Sequence, residues 1–134
     1  MLNMKKILFI ATAFFIFSCN ETSKVENFLI TLWAVDSIEI NEVNLGRDQI
    51  FHNTFLIERD GICNVPMING KFNSSAHWIV EKNESDQFIF TIKGAERDEF
   101  NGRFRVFIDQ IEPIKKMRFV SDKVVFNCSA SNYP

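Results

Sequence analysis

Gln87-Phe88-Ile89-Phe90-Thr91-Ile92-Lys93 is the stretch on which the fold turns. Phe88, Phe90 and Ile92 fall on one side, and Ile89, Thr91 and Lys93 on the other. A period of two residues is that of a strand, because successive side chains leave a pleated backbone on opposite faces. Aromatic and β-branched residues also suit a half-buried pleated surface. Polar Asn83-Glu84-Ser85-Asp86 before it reads as a turn, and Gly94 to Glu99 after it as a charged loop.

The same punctuation continues in both directions. Upstream, Ser75 to Lys82, with His77-Trp78-Ile79-Val80 at its centre, reads as a strand. Asn69-Gly70 reads as a turn. Ile62 to Met67 is a short strand, with Pro66 marking its end or an edge. Asp60-Gly61 is a hairpin signal, since glycine accepts the positive φ of a tight turn. Ile50 to Arg59 alternates, with Phe51, Asn53, Phe55 and Ile57 on one face. Asn41 to Gln49 is a polar loop, and Leu32 to Ile40 is a first strand. Val25, Phe28, Leu29 and Leu32 lie at helical spacing, so a short leading helix or turn also fits there.

Downstream, Phe100 to Asp109 alternates again, with Phe104, Val106 and Ile108 expected inward and Phe107 out of pattern. Asn101-Gly102 at its start fits a turn or a bulge. Ile114 to Val120 and Val124 to Ser129 form a last pair joined at Ser121-Asp122-Lys123. About eight short strands at regular spacing predict an all-β antiparallel meander, closed as a barrel or folded as a sandwich. No long helical stretch is present to carry a crossover between parallel strands.

The N-terminus has a different character. Lys5 and Lys6 precede an apolar run, Ile7 to Phe17, and then Ser18 and Cys19. A charged start, a short apolar middle and a small residue before the cut are the layout of a secretory signal. The run is about half the roughly twenty residues that a membrane-crossing helix needs. Ile16-Phe17-Ser18-Cys19 resembles the bacterial lipobox. That resemblance implies cleavage before Cys19 and lipid on its sulfur, and Asn20 after it favours the outer membrane; the tether lacks a dense acidic run, so a periplasm-facing position is expected. The predicted organisation is therefore a signal over 1–18, a lipidated cysteine and polar tether over 19–27, and a β domain over 28–134.

Cleavage would remove Lys5 and Lys6 and no acids. Lys plus Arg falls from 15 to 13 against 17 Asp plus Glu, a formal net charge of −4. Nucleic-acid binders carry a basic patch or stripe; here the basic runs, Lys115-Lys116 with Arg118 and Arg103 with Arg105, are short. Of the fifteen phenylalanines, four lie in the leader, which leaves enough for a substantial aromatic core.

From Trp33 to about Ala130 the layout resembles a lipocalin-like domain, of the kind found as small lipoproteins in Bacteroidetes-type bacteria. Trp33 opens the first strand, a hairpin follows at Asp60-Gly61, and Trp78 and Phe88-Ile89-Phe90 mark later strands. Phe100-Asn101-Gly102-Arg103-Phe104 opens another. The resemblance implies an eight-stranded barrel of the calycin type.

Chemistry-bearing residues are few. Cys63 and Cys128 allow a single intramolecular disulfide in an exported chain, or each is a small buried hydrophobe. Cys63, Cys128, His52 and His77 show no metal-ligand spacing, so no metal or cofactor is expected. No nucleophile–base motif, glycine-rich phosphate loop or zinc-protease helix is present, and the chain reads as non-catalytic. Two binding readings remain. In the first, Trp33, Phe55, Trp78, Phe90, Phe104 and Phe119 line a cavity for a small apolar ligand. In the second, the loops Asn41–Gln49 and Gly94–Glu99 recognise an envelope protein, as an accessory or inhibitor module would. Oligomeric state is not readable from the sequence.

Overall fold

The computed structural model describes residues 21–50, 53–68, 75–111 and 113–131. The leader, Cys19, Phe51, His52 and Asn69-Gly70 lie outside the described residues.

The strands close into an antiparallel barrel. In chain order they are β1 (Leu32–Ile40), β2 (Val43–Asn44), β3 (Thr54–Ile57), β4 (Ile62–Asn64), β5 (Ala76–Lys82), β6 (Phe88–Lys93), β7 (Gly102–Ile111), β8 (Ile114–Val120) and β9 (Val124–Ser131). Each pairs with the next around the ring, and β1 pairs with β9 to complete it. β2 is a two-residue appendage on β1, so eight strands make the wall. The barrel, not the sandwich, is the outcome, and it is the lipocalin-like all-β architecture expected.

Alternation positions the core. Phe55 and Ile57 of β3, Trp78 and Val80 of β5, Phe90 and Ile92 of β6, and Phe104 and Val106 of β7 are all buried. Met117 and Phe119 of β8 and Val124, Phe126 and Cys128 of β9 join them. On β1 the inward phase slips: Trp33 and Val35 face in, and the next inward residue is Ile38. The register shifts between Val35 and Ser37, leaving Asp36 as the extra residue of a bulge. Such an insertion moves every later side chain to the opposite face.

One expected inward residue departs from the pattern. β6 pairs with β7 only from Gly102 to Arg105, whereas β8 accompanies β7 to Ile111. The β7–β8 hairpin therefore runs past its neighbour on one side. Ile108, in the inward phase, has no β6 side chain beside it and is 39 % exposed, and Phe107 is 45 % exposed.

The expected tether is also different. Residues 21–29 form a helix, α1, and a short α2 (Arg47–Ile50) sits after β2. α1 lies across one end of the barrel. Glu21 meets Lys82 at the end of β5 at 2.6 Å, and Arg59 in the β3–β4 turn donates to Asn27 at 3.4 Å. Phe28 lies under the Lys115 ammonium at the start of β8, 5.0 Å from ring centroid to nitrogen. Leu29 is fully buried and accepts the Trp33 indole N–H at 2.8 Å. Apolar Val25, Phe28 and Leu29 at helical spacing supply a face worth burying, and that is why these residues dock instead of forming a polar tether.

Candidate functional site

The sequence-predicted lining residues do converge. Trp33, Phe55, Phe90, Phe104 and Phe119 are each 0 % exposed and Trp78 is 7 % exposed. Five of the rings meet one another, and Trp33 meets Phe28 of α1 at 5.7 Å. Phe55 stands edge-on to Phe90 and Phe119 at 5.9 and 5.4 Å. Phe90 stands edge-on to Phe119 at 5.2 Å and stacks on Trp78 at 5.4 Å. These are the separations at which aromatic pairs attract. Phe126 is the member that the strand reading left out. It stacks on Phe119 at 4.6 Å and contacts Phe55, Phe104 and Phe100. Alternation of Val124, Phe126 and Cys128 along β9 would have identified it.

An eight-stranded barrel has an interior just wide enough for its own side chains, or for one small ligand in their place. Here the rings occupy the axis. Both indole N–H groups are satisfied by protein, Trp33 by Leu29 and Trp78 by the Glu58 carbonyl at 2.9 Å. Neither is left pointing inward to receive a ligand.

Cys63 and Cys128 are two free, buried thiols. Cys63 pairs across β4 with Ile57 and Ala76, and Cys128 across β9 with Val35 and Met117. Burial pushes the Cys63 thiol up to about 12. Burial, and then the Asp36 carboxylate, also raise Cys128. Thiols held in this way are poor nucleophiles and poor ligands, since the thiolate is the reactive form. His77 is exposed on the outer face of β5. Among the described residues no group of three or more His, Cys, Asp or Glu side chains could hold a metal ion.

The end of the barrel away from α1 is built differently. There β1 turns into β2 through Asn41 and Glu42, with φ of 50° and 67°. Ile40 and Val43 pair across the turn. Two positive φ values match the hairpin turn whose twist fits the strands, and its second position favours glycine. Glu42 occupies that position with a side chain, at the cost of some strain. Val43 beside it is 63 % exposed. The Asn41 N–H donates to the Lys123 carbonyl at 2.8 Å, tying this hairpin to the β8–β9 turn.

The β6–β7 loop from Gly94 to Asn101, at the same end, is clamped at both of its ends by one side chain. Asn101 accepts from the Ala95 N–H at 2.8 Å and donates to the Ala95 carbonyl at 3.0 Å. Phe100 plugs the barrel beneath it, fully buried. The loop therefore stands on a fixed base with Glu96 and Asp98 outward. Arg97 reaches Glu99 at 3.4 Å, and its buried Nε has no hydrogen-bond partner. Over these connections the acids Glu42, Asp48, Glu96, Asp98, Glu99 and Asp122 outnumber Arg47, Arg97 and Lys123. Among the described residues, these hydrogen-bonded connections are rich in acids and bear an exposed valine.

The class that these features define is a closed, aromatic-filled, eight-stranded antiparallel barrel with a helix across one end. No family model, no curated protein and no solved structure matches the chain.

Proposed function

We propose that this protein is a non-catalytic lipoprotein, held by lipid on Cys19 to the periplasmic face of the outer membrane, that binds a partner protein of the envelope through its open-end loops. The observation that carries this reading is the division of labour between the two parts of the barrel. Aromatic rings fill the interior, which favours recognition on the outside. The Asn41–Glu42 hairpin and the Gly94–Asn101 loop lie at the same end of the barrel, as recognition loops do on a rigid scaffold. Strain kept at Glu42 is the kind of feature found where a position is held for contact. The acid excess of the rim suits a partner with a basic patch, which would also speed encounter. The apolar-ligand reading requires one or more of the six rings to swing aside, and it stands as the alternative.

The test is photocrosslinking in cells with the intact, anchored chain. A photoreactive amino acid at Val43 or at Glu96 should give one and the same discrete crosslinked species. A reporter at Ile79, on the barrel wall, should not. Absence of any product from both loop positions, or an equal yield from Ile79, would reject the open-end surface.

A further inference from the structure

The end of the barrel that carries α1 has a second property, and it concerns the membrane. Antiparallel alternation brings the start of β1, the β3–β4 turn, the β5–β6 turn, the β7–β8 turn and the end of β9 to this one end. α1 lies across it. Only Asn20 separates Cys19 from Glu21, the first described residue of α1. A fully extended residue spans at most about 3.6 Å. The acyl-bearing residue is therefore within about 7 Å of α1 along the chain, and α1 is pinned at Lys82, Arg59, Trp33 and Lys115.

Next to α1 stands the β7–β8 hairpin, which projects beyond β6 at this same end. It is held against the helix by Lys115, whose ammonium sits over Phe28 at 5.0 Å and over Trp33 at 6.0 Å. The hairpin exposes large apolar side chains where a soluble surface would carry polar ones. Phe107 is 45 %, Ile108 39 % and Ile114 45 % exposed, and Leu32 at the start of β1 is 56 % exposed. Lys116 lies among them, opposite Asp109 across the hairpin. Exposed apolar residues gathered at one edge, with cations beside them, fit the boundary between lipid headgroups and acyl chains.

We infer that the protein is seated directly on the bilayer, with its α1-capped end and the β7–β8 hairpin against the lipid, so that the opposite loops point away from the membrane. This rests on the Cys19 anchor of the proposed function and adds an orientation to it. A flexible tether would let the barrel tumble; a docked helix two residues from the lipid does not.

The experiment uses the full acylated chain in vesicles of phosphatidylethanolamine and phosphatidylglycerol that contain a headgroup-labelled nitroxide lipid. A fluorophore is placed on Ile114→Cys or, as a second reporter of the same end, on Lys116→Cys. Val43→Cys reports the opposite end, and the two native thiols are buried. Both hairpin reporters should be quenched several-fold more strongly than the Val43 reporter. Equal quenching, or stronger quenching at Val43, overturns the seating. An intact mass on the same sample separates the two failures: a chain without acyl groups defeats the anchor and the seating with it, whereas an acylated chain with equal quenching defeats the seating alone.

Discussion

At the scale of the residue, the two thiols carry the clearest physical consequence. A cysteine with no charged partner and no water keeps its proton. Cys63 does so up to about 12, against an ordinary value of 9.0, and Cys128 is raised by burial and by Asp36. The folded protein thus binds more protons than the unfolded chain once the pH passes 9. Their stabilising contribution is complete below that pH and declines as pH rises towards about 12. The slope is at most about 1.4 kcal/mol per pH unit for each thiol. Urea midpoints measured across the alkaline range should fall with pH, and Cys63→Ala should flatten that fall. A parallel decline in both proteins would show that Cys63 is not buried as a thiol. Two cysteines at these positions leave a disulfide and two small buried hydrophobes both open in the sequence. What decides is their placement on β4 and β9, and that is set by tertiary closure.

At the scale of the element, alternation made most of the wall legible. Leu32–Ile40 coincides with β1, and Ala76–Lys82 and Phe88–Lys93 fall within a residue of the strands read for them. Two features were not legible, for different reasons. The slip at Asp36 is a property of the β1–β9 register, which no local pattern encodes. Ile108 has the sequence of an inward residue, and it is exposed because β6 stops short of it, a fact about a neighbour. The Val25-Phe28-Leu29-Leu32 spacing left a short helix or turn open, but Leu32 belongs to β1 and the helix covers 21–29. Its polar residues read as a tether because Glu21, Ser23 and Lys24 lie on the exposed side of a docked helix, Glu21 also reaching Lys82. The β1–β2 hairpin gives the prediction proper to this scale. Glu42 sits at φ 67°, where a side chain costs about 1 kcal/mol and glycine does not. Glu42→Gly should therefore raise the urea midpoint by an amount equivalent to about 1 kcal/mol. An unchanged or lower midpoint would mean that the carboxylate makes a compensating contact in the hairpin.

At the scale of the whole molecule, the barrel is polarised. One end is closed by α1, two residues from Cys19, and the other carries braced loops with an acid excess. Between them the aromatic residues form a continuous packed column. That packing explains why the six candidate lining residues were legible as inward residues while their use was not. An inward phenylalanine reads the same in sequence whether it faces a ligand or another ring; the distinction lies in how the rings from β3, β6, β8 and β9 meet. Phe119 and Phe126 stacked at 4.6 Å, with Phe55 edge-on to both, place side chain where a ligand would otherwise lie. Under the proposed function, the interior serves stability and the rim opposite α1 serves recognition.

That assignment is tested most directly by a native mass spectrum of residues 20–134, expressed in a bacterial periplasm without the anchor and then incubated with a panel of lipids and small molecules. The bare polypeptide mass is expected both before and after incubation. A defined additional mass, retained in the native spectrum and lost on denaturation, would contradict it and make the barrel interior the binding site.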